Sequence, residues 1–129
     1  QALTNGKITV FGGQQTRPNI HIDDITDVYL HMIDKGEAVT GIFNAGFENI
    51  SILDIAHTVT KYVPADVTVT ESNDPRSYRV NSDKLLATGF APKKTVEIAI
   101  EELVEKYNDG ILKDEKQFYN LTWMQENVL

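Results

Sequence analysis

Short β-branched runs alternate with amphipathic helical stretches along this chain, each bounded by glycine or proline. That alternation constrains the fold more than any other feature of the sequence. Ile8-Thr9-Val10-Phe11 is a β-like run stopped by Gly12-Gly13. Asn19-Ile20-His21-Ile22 alternates and predicts a second strand, after which Asp23 or Asp24 is placed to N-cap a helix. Ile25, Val28, Tyr29, Met32 and Ile33 then follow the spacing of one buried helical face, closed by Lys35-Gly36.

The pattern repeats downstream. Gly41 to Gly46 reads as a short apolar strand bounded by glycines. Ser51 and Asp54 form a weak capping box that opens a helix with Ile52, Ile55, Ala56 and Val59 on one face, closed by Pro64. Val67-Thr68-Val69-Thr70 predicts a strand, and Tyr78-Arg79-Val80 a brief one. Ser82 is placed to cap a short helix. Thr95 starts a longer one with Val96, Ile100, Leu103, Val104 and Tyr107 inward, ended by Asn108-Asp109-Gly110. The order β, β-α, β-α, β, then helices predicts an α/β fold with too few units for a complete doubly wound sheet. Residues 1–110 form the folded part on this reading, and 111–129 a polar tail with Phe118, Tyr119 and Trp123 placed to pack on a neighbouring domain or subunit. The opening Gln1-Ala2-Leu3-Thr4-Asn5-Gly6 reads as the last turn of a helix, as expected of a segment taken from a longer protein.

Charge and composition narrow the function. The 129 residues carry a net charge of −7, which argues against general nucleic-acid binding, because phosphate contacts need clustered Lys and Arg. No apolar run reaches the roughly 20 residues that span a bilayer. The absence of cysteine excludes disulfides and thiolate metal sites and fits a reducing, cytoplasmic compartment.

Two arginines stand out. Arg17 ends the polar run Gln14-Gln15-Thr16 just before a predicted strand, and Arg76 follows Asp74-Pro75 with Arg79 close by. Each has a plain reading, a loop arginine in a local ion pair, with Asp23 or Asp24 as partners for Arg17. Each also has a functional one, a guanidinium fork donating two parallel hydrogen bonds to a phosphate. Two such forks from distant loops would let an acidic protein bind a diphosphate. His21, Asp23, Asp24 and His31 invite a metal reading, but Asp24 is better used as a cap and His31 lies about two helical turns on, so no metal site is expected. His57 reads as a helix-surface residue. Neither G-x-G-x-x-G nor G-x-x-x-x-G-K occurs.

Three stretches, "ITVFGGQQTRPNIHIDDITDVYLHMI", "GIFNAGFENISILDIAHTV" and "DPRSYRVNSDKLLATGFAPKKTVEIAIEELVEKY", taken in order, resemble the C-terminal part of NAD-dependent nucleotide-sugar epimerases and dehydratases, the extended short-chain dehydrogenase/reductases. The resemblance covers roughly residues 7–110. It implies the C-terminal portion of a Rossmann-type enzyme: a late strand and helix of the large domain plus the small mixed α/β substrate-binding domain. It implies that Arg17, in the form Gln15-Thr16-Arg17, contacts the diphosphate of a nucleotide sugar, with Asn19 nearby. Arg76 matches a second clamp, in a loop shorter than the family's and lacking its R-x-G-D pattern. Ile50 and Ser51 lie near the nucleotide. The ligand class is a UDP-, GDP-, CDP- or dTDP-linked sugar. The full-length enzyme, commonly a homodimer, uses NAD or NADP. None of the five tyrosines has a lysine four positions later, so the Tyr-x-x-x-Lys pair and the glycine-rich cofactor turn are absent from this chain. No catalytic residue and no cofactor are expected on it alone. The alternative reading is a non-catalytic nucleotide-sugar-binding or assembly module.

Overall fold

A computed structural model describes residues 1–74 and 76–128. Its elements in chain order are α1 (Ala2–Asn5), β1 (Lys7–Phe11), β2 (Thr16–Asn19), α2 (Ile22–Lys35), β3 (Glu48–Ser51), α3 (Ile52–Tyr62), β4 (Asp66–Thr70), α4 (Asp83–Leu86), α5 (Val96–Asn108) and α6 (Asn120–Asn127). Single 3₁₀ turns occupy Gly36–Ala38 and Lys116–Phe118. The result is a small mixed α/β fold. Among the described residues, no helix is long and apolar enough to cross a membrane.

Two separate two-stranded sheets form. β1 and β4 pair in parallel with Ile8 opposite Val67 and Val10 opposite Val69, and α3 packs against both strands. β2 and β3 pair antiparallel with Thr16 opposite Ser51 and Arg17 opposite Ile50. The β1–β2 connection is therefore the hinge between the sheets, and it carries Gly12 and Gly13 at φ values of +75° and +92°. Gly13 N–H donates to the Phe11 carbonyl, and its carbonyl accepts from Leu53 at the start of α3. A Cβ on Gly13 would sit 3.2 Å from both Leu53 Cβ and Val10 Cγ1, so the double glycine lets β1 turn tightly against α3.

A hydrophobic core lies under α2, where Val28, Leu85 and Phe90 are buried and Ile25, Met32, Phe43, Ala45 and Phe47 pack around them. Of the face predicted for α2, Ile25, Val28 and Met32 point inward. Tyr29 and Ile33 do not, at 68% and 75% exposed, because the loop layer beneath the helix covers only a narrow stripe.

The helix caps show where local signals hold. Ser51 Oγ accepts from Asp54 N–H, the cap bond its spacing predicts, and donates to the Asp54 carboxylate at 2.6 Å, so that carboxylate meets the Ser51 hydroxyl rather than its backbone N–H. Thr95 Oγ1 accepts from Ile98 N–H and opens α5.

Five predicted features are displaced. The strand expected at 19–22 lies at Thr16–Asn19, and neither Asp23 nor Asp24 caps α2. His21 does, its Nδ1 accepting from Asp23 N–H. The Asp24 carboxylate, 1% exposed, instead accepts from the backbone N–H groups of Lys93 and Lys94 at 3.0–3.2 Å and fastens the loop before α5 onto α2. Gly41 to Gly46 packs its odd side chains inward like a strand but has no ladder partner. Tyr78 to Val80 is not a strand either, because Asn49 takes up both backbone groups of Val80 with its own amide. Ser82 holds the N-cap position of α4 without capping it, since its hydroxyl bonds both the N–H and the C=O of Gly46.

Candidate functional site: two arginines on one carboxylate

The loops that flank the two sheets meet at Arg17. β2 sets its backbone, paired with Ile50 across the antiparallel sheet. On the other side of β2 lies the 72–78 loop, where Ser77 Oγ accepts from Thr16 N–H at 3.0 Å and Tyr78 N–H donates to the Thr16 carbonyl. The Arg17 guanidinium is thereby held over the Tyr78 ring, 5.0 Å from its centroid. Its Nη1 donates to the Arg76 and Thr16 carbonyls, and its Nη2 lies 3.4 Å from Asp74 Oδ2.

Arg76 grips the same carboxylate from the other side, Nε to Oδ1 at 2.7 Å and Nη2 to Oδ2 at 2.8 Å. Its backbone N–H closes an Asx turn on Asp74 Oδ1. These bonds to Arg76, with the charge of Arg17 adding to them, hold the Asp74 carboxyl well below the usual carboxylate range. The same carboxylate raises the Arg76 guanidinium. The two arginines therefore converge, which their separation of 59 positions in sequence does not show. The partner of Arg17 is Asp74, not Asp23 or Asp24. The pair is unequal: the Arg17 side chain is 23% exposed and fixed by backbone carbonyls, while that of Arg76 is 78% exposed.

Gln15 forms the floor. Its Nε2 donates to the Phe11 and Asp74 carbonyls, while its Oε1 is buried with no protein partner among the described residues. Gly12, Gln14, Gln15, Ser72, Asp74 and Ser77 line a cleft of about 270 Å³ beside it, large enough for a phosphate group and open to solvent for the rest of a ligand. The other residues singled out from the sequence lie behind this cleft. Asn19 spends its amide N–H on the Arg17 and Glu48 carbonyls and so fixes the β2–β3 pairing. Ile50 is half-buried opposite Arg17, and the hydroxyl of Ser51 is committed to the α3 cap.

Asp74, Ser77 and Tyr78 escape a reading by residue type. The available signal is the Asp two positions before Arg76, the spacing of an Asx turn; Pro75, between them, lies outside the described residues.

The glycines after β1 lead into β2 rather than a helix N-terminus, and the space a Cβ of Gly12 would enter is filled by the Gln15 amide, 2.4 Å away. Burial, then hydrogen bonds to Glu101 and Glu97, push the Tyr62 phenol far above its ordinary value.

His21, Asp23 and Glu102 do gather, with ligand-type atoms within 4.8 Å of one another. Sequence spacing misses Glu102, which comes from α5. But His21 Nδ1 already accepts from Asp23 N–H, its Nε2 lies 3.2 Å from Glu102, and Lys94 Nζ pairs with Glu102 and lies 3.8 Å from Asp23. Lys94 thus already sets a positive charge beside both carboxylates. His31 stands apart, its Nε2 2.8 Å from Thr88 Oγ1, and His57 is exposed.

A scan against protein-family models finds no match for this chain.

Proposed function

We propose that this chain is the nucleotide-sugar-binding part of an NAD-dependent nucleotide-sugar epimerase or dehydratase of the extended short-chain dehydrogenase/reductase type. The observation that carries the reading is the convergence of Arg17 and Arg76 on Asp74. A protein of net charge −7 has brought two guanidinium groups together on Asp74, whose carboxylate supplies their counter-charge and lines the cleft. A diphosphate offers, on each tetrahedral phosphate, a pair of oxygens that a guanidinium can bind together, with more charge than a carboxylate, so it can replace Asp74 between the two arginines. Arg17, pinned by Tyr78 and two carbonyls, is the preorganised clamp. Arg76, on the exposed side, closes onto the ligand.

Remote phosphate contacts of this kind supply binding energy that orients the reacting sugar. Hydride transfer belongs, on this reading, to the full-length enzyme with NAD or NADP held by its other half. This chain binds and positions.

Calorimetric titration with UDP-, GDP-, CDP- and dTDP-linked sugars tests the proposal. One of these classes is expected to bind, and Arg17→Ala to weaken it by about tenfold or more, the scale of a lost charge-assisted bidentate contact. No binding by any class, or equal affinity in the variant, refutes it. A stand-alone binding module would bind equally well, and the reading frame around Gln1 separates the two: an upstream glycine-rich turn and Tyr-x-x-x-Lys mark the enzyme.

A further inference from the structure

The 72–78 loop keeps its place on β2 through bonds that do not use the Asp74 carboxylate. Ser77 Oγ accepts from Thr16 N–H at 3.0 Å, and Tyr78 N–H donates to the Thr16 carbonyl. The Gln15 amide donates to the Asp74 carbonyl at 3.3 Å, and Asp74 N–H donates to Ser72 Oγ at 3.1 Å. Arg17 is equally independent of it. The Thr16 and Arg76 carbonyls and the Tyr78 ring fix its guanidinium, and the 3.4 Å contact with Asp74 Oδ2 is the longest of its hydrogen bonds. What the carboxylate adds is a negative charge between the arginines and an acceptor for Arg76 N–H. Its side chain is 37% exposed, so it can turn out into solvent without unfastening the loop.

A carboxylate tethered within reach of two guanidinium groups is a ligand already present at high effective concentration. A free carboxylate brings no more charge and also loses its freedom on binding, so it does not dislodge Asp74. A diphosphate brings more charge and spans both arginines. We infer, on the diphosphate reading of this cleft, that Asp74 is a tethered competitor for Arg17 and Arg76, which the incoming anion displaces, so that its carboxylate lowers the affinity of the cleft. The opposite role, a carboxylate that holds the arginines ready for the ligand, predicts the opposite sign: without its charge Arg76 would lose its position and the anion would bind more weakly.

Asp74→Asn separates the two, because asparagine removes the charge and keeps a side-chain oxygen for Arg76 N–H. In calorimetric titration with inorganic diphosphate the variant should bind about fivefold or more tighter than the unaltered chain, the scale of one unit charge removed beside a multiply charged anion in an exposed site. Equal or weaker binding by the variant overturns the inference and leaves the diphosphate reading standing; no binding by either chain overturns both. A second readout needs no substitution. The charged groups facing Asp74 among the described residues are Arg76 in its own loop and Arg17 from β2, and they hold its carboxyl well below the usual carboxylate range. Saturating diphosphate takes both arginines away, so the Asp74 carboxyl-carbon NMR signal should titrate at higher pH than in the free chain. A titration that bound diphosphate leaves in place overturns the inference.

Discussion

Replacing Asp24 with asparagine separates two roles for that residue. If Asp24 acted as a helix cap, asparagine would serve almost as well, and the cost would be a few tenths of a kcal/mol. The structure gives it a different task. Lys93 N–H lies 3.0 and 3.2 Å from the two carboxylate oxygens and Lys94 N–H 3.0 Å from Oδ2, in a site where Asp24 is 1% exposed. Asparagine keeps one oxygen and turns an N–H₂ group toward the second donor. With its oxygen at the Oδ2 position it still accepts from both N–H groups, but the N–H₂ group then opposes Lys93 N–H and both remaining bonds lose their charge assistance, at about 1–2 kcal/mol each. The sum is about 2–4 kcal/mol, a large fraction of the stability of a domain this size, and corresponds to a Tm lower by roughly 8–15 °C. Urea unfolding followed by circular dichroism measures it. Ser51→Ala, which removes a genuine cap, is the internal scale at about 1 kcal/mol. A cost for Asp24→Asn below that of Ser51→Ala would refute the latch.

Gly12→Ala should destabilise the chain by about 1–2 kcal/mol, since φ +75° is left-handed backbone, and should also push the Gln15 amide off the Asp74 carbonyl. Denaturant unfolding reads the first effect and nucleotide-sugar affinity the second. Asp74, Glu97 and Glu102 are all held below their ordinary values, first by bonds to Arg76, Lys61 and Lys94 respectively. Their contribution is complete above the unfolded carboxylate value of about 4 and is lost as pH falls through the lowered folded values. The urea midpoint should therefore decline below about pH 4, and Asp74→Asn should shallow that decline; an unchanged acid limb in the variant contradicts the pairing.

The legible parts of this fold are those governed by neighbours in sequence. β1 and β4 follow from runs of β-branched residues, and the α3 and α5 starts follow from Ser51 and Thr95, because a cap bond closes within three residues. What escapes the sequence spans distance. Asp24 has a cap within reach but finds two backbone donors about 70 positions away, and Ser82 abandons its own helix for Gly46. Gly41 to Gly46 has strand composition but no ladder, since a ladder needs a second strand. At the cleft, residue type alone picks out Arg17 and Arg76, and Gln15 enters through the Gln15-Thr16-Arg17 resemblance. Asp74, which brings the arginines together, reads as a loop aspartate until the 72–78 loop is folded onto β2.

The most direct test of the arginine cleft is a titration of the whole chain with inorganic diphosphate, followed through the Arg Nε–Hε resonances by NMR. Arg17 and Arg76 should shift together along one saturating curve, and neither curve should survive in an Arg17→Ala, Arg76→Ala double variant. Diphosphate that leaves both resonances in place, or moves those of Arg79 instead, would contradict the account.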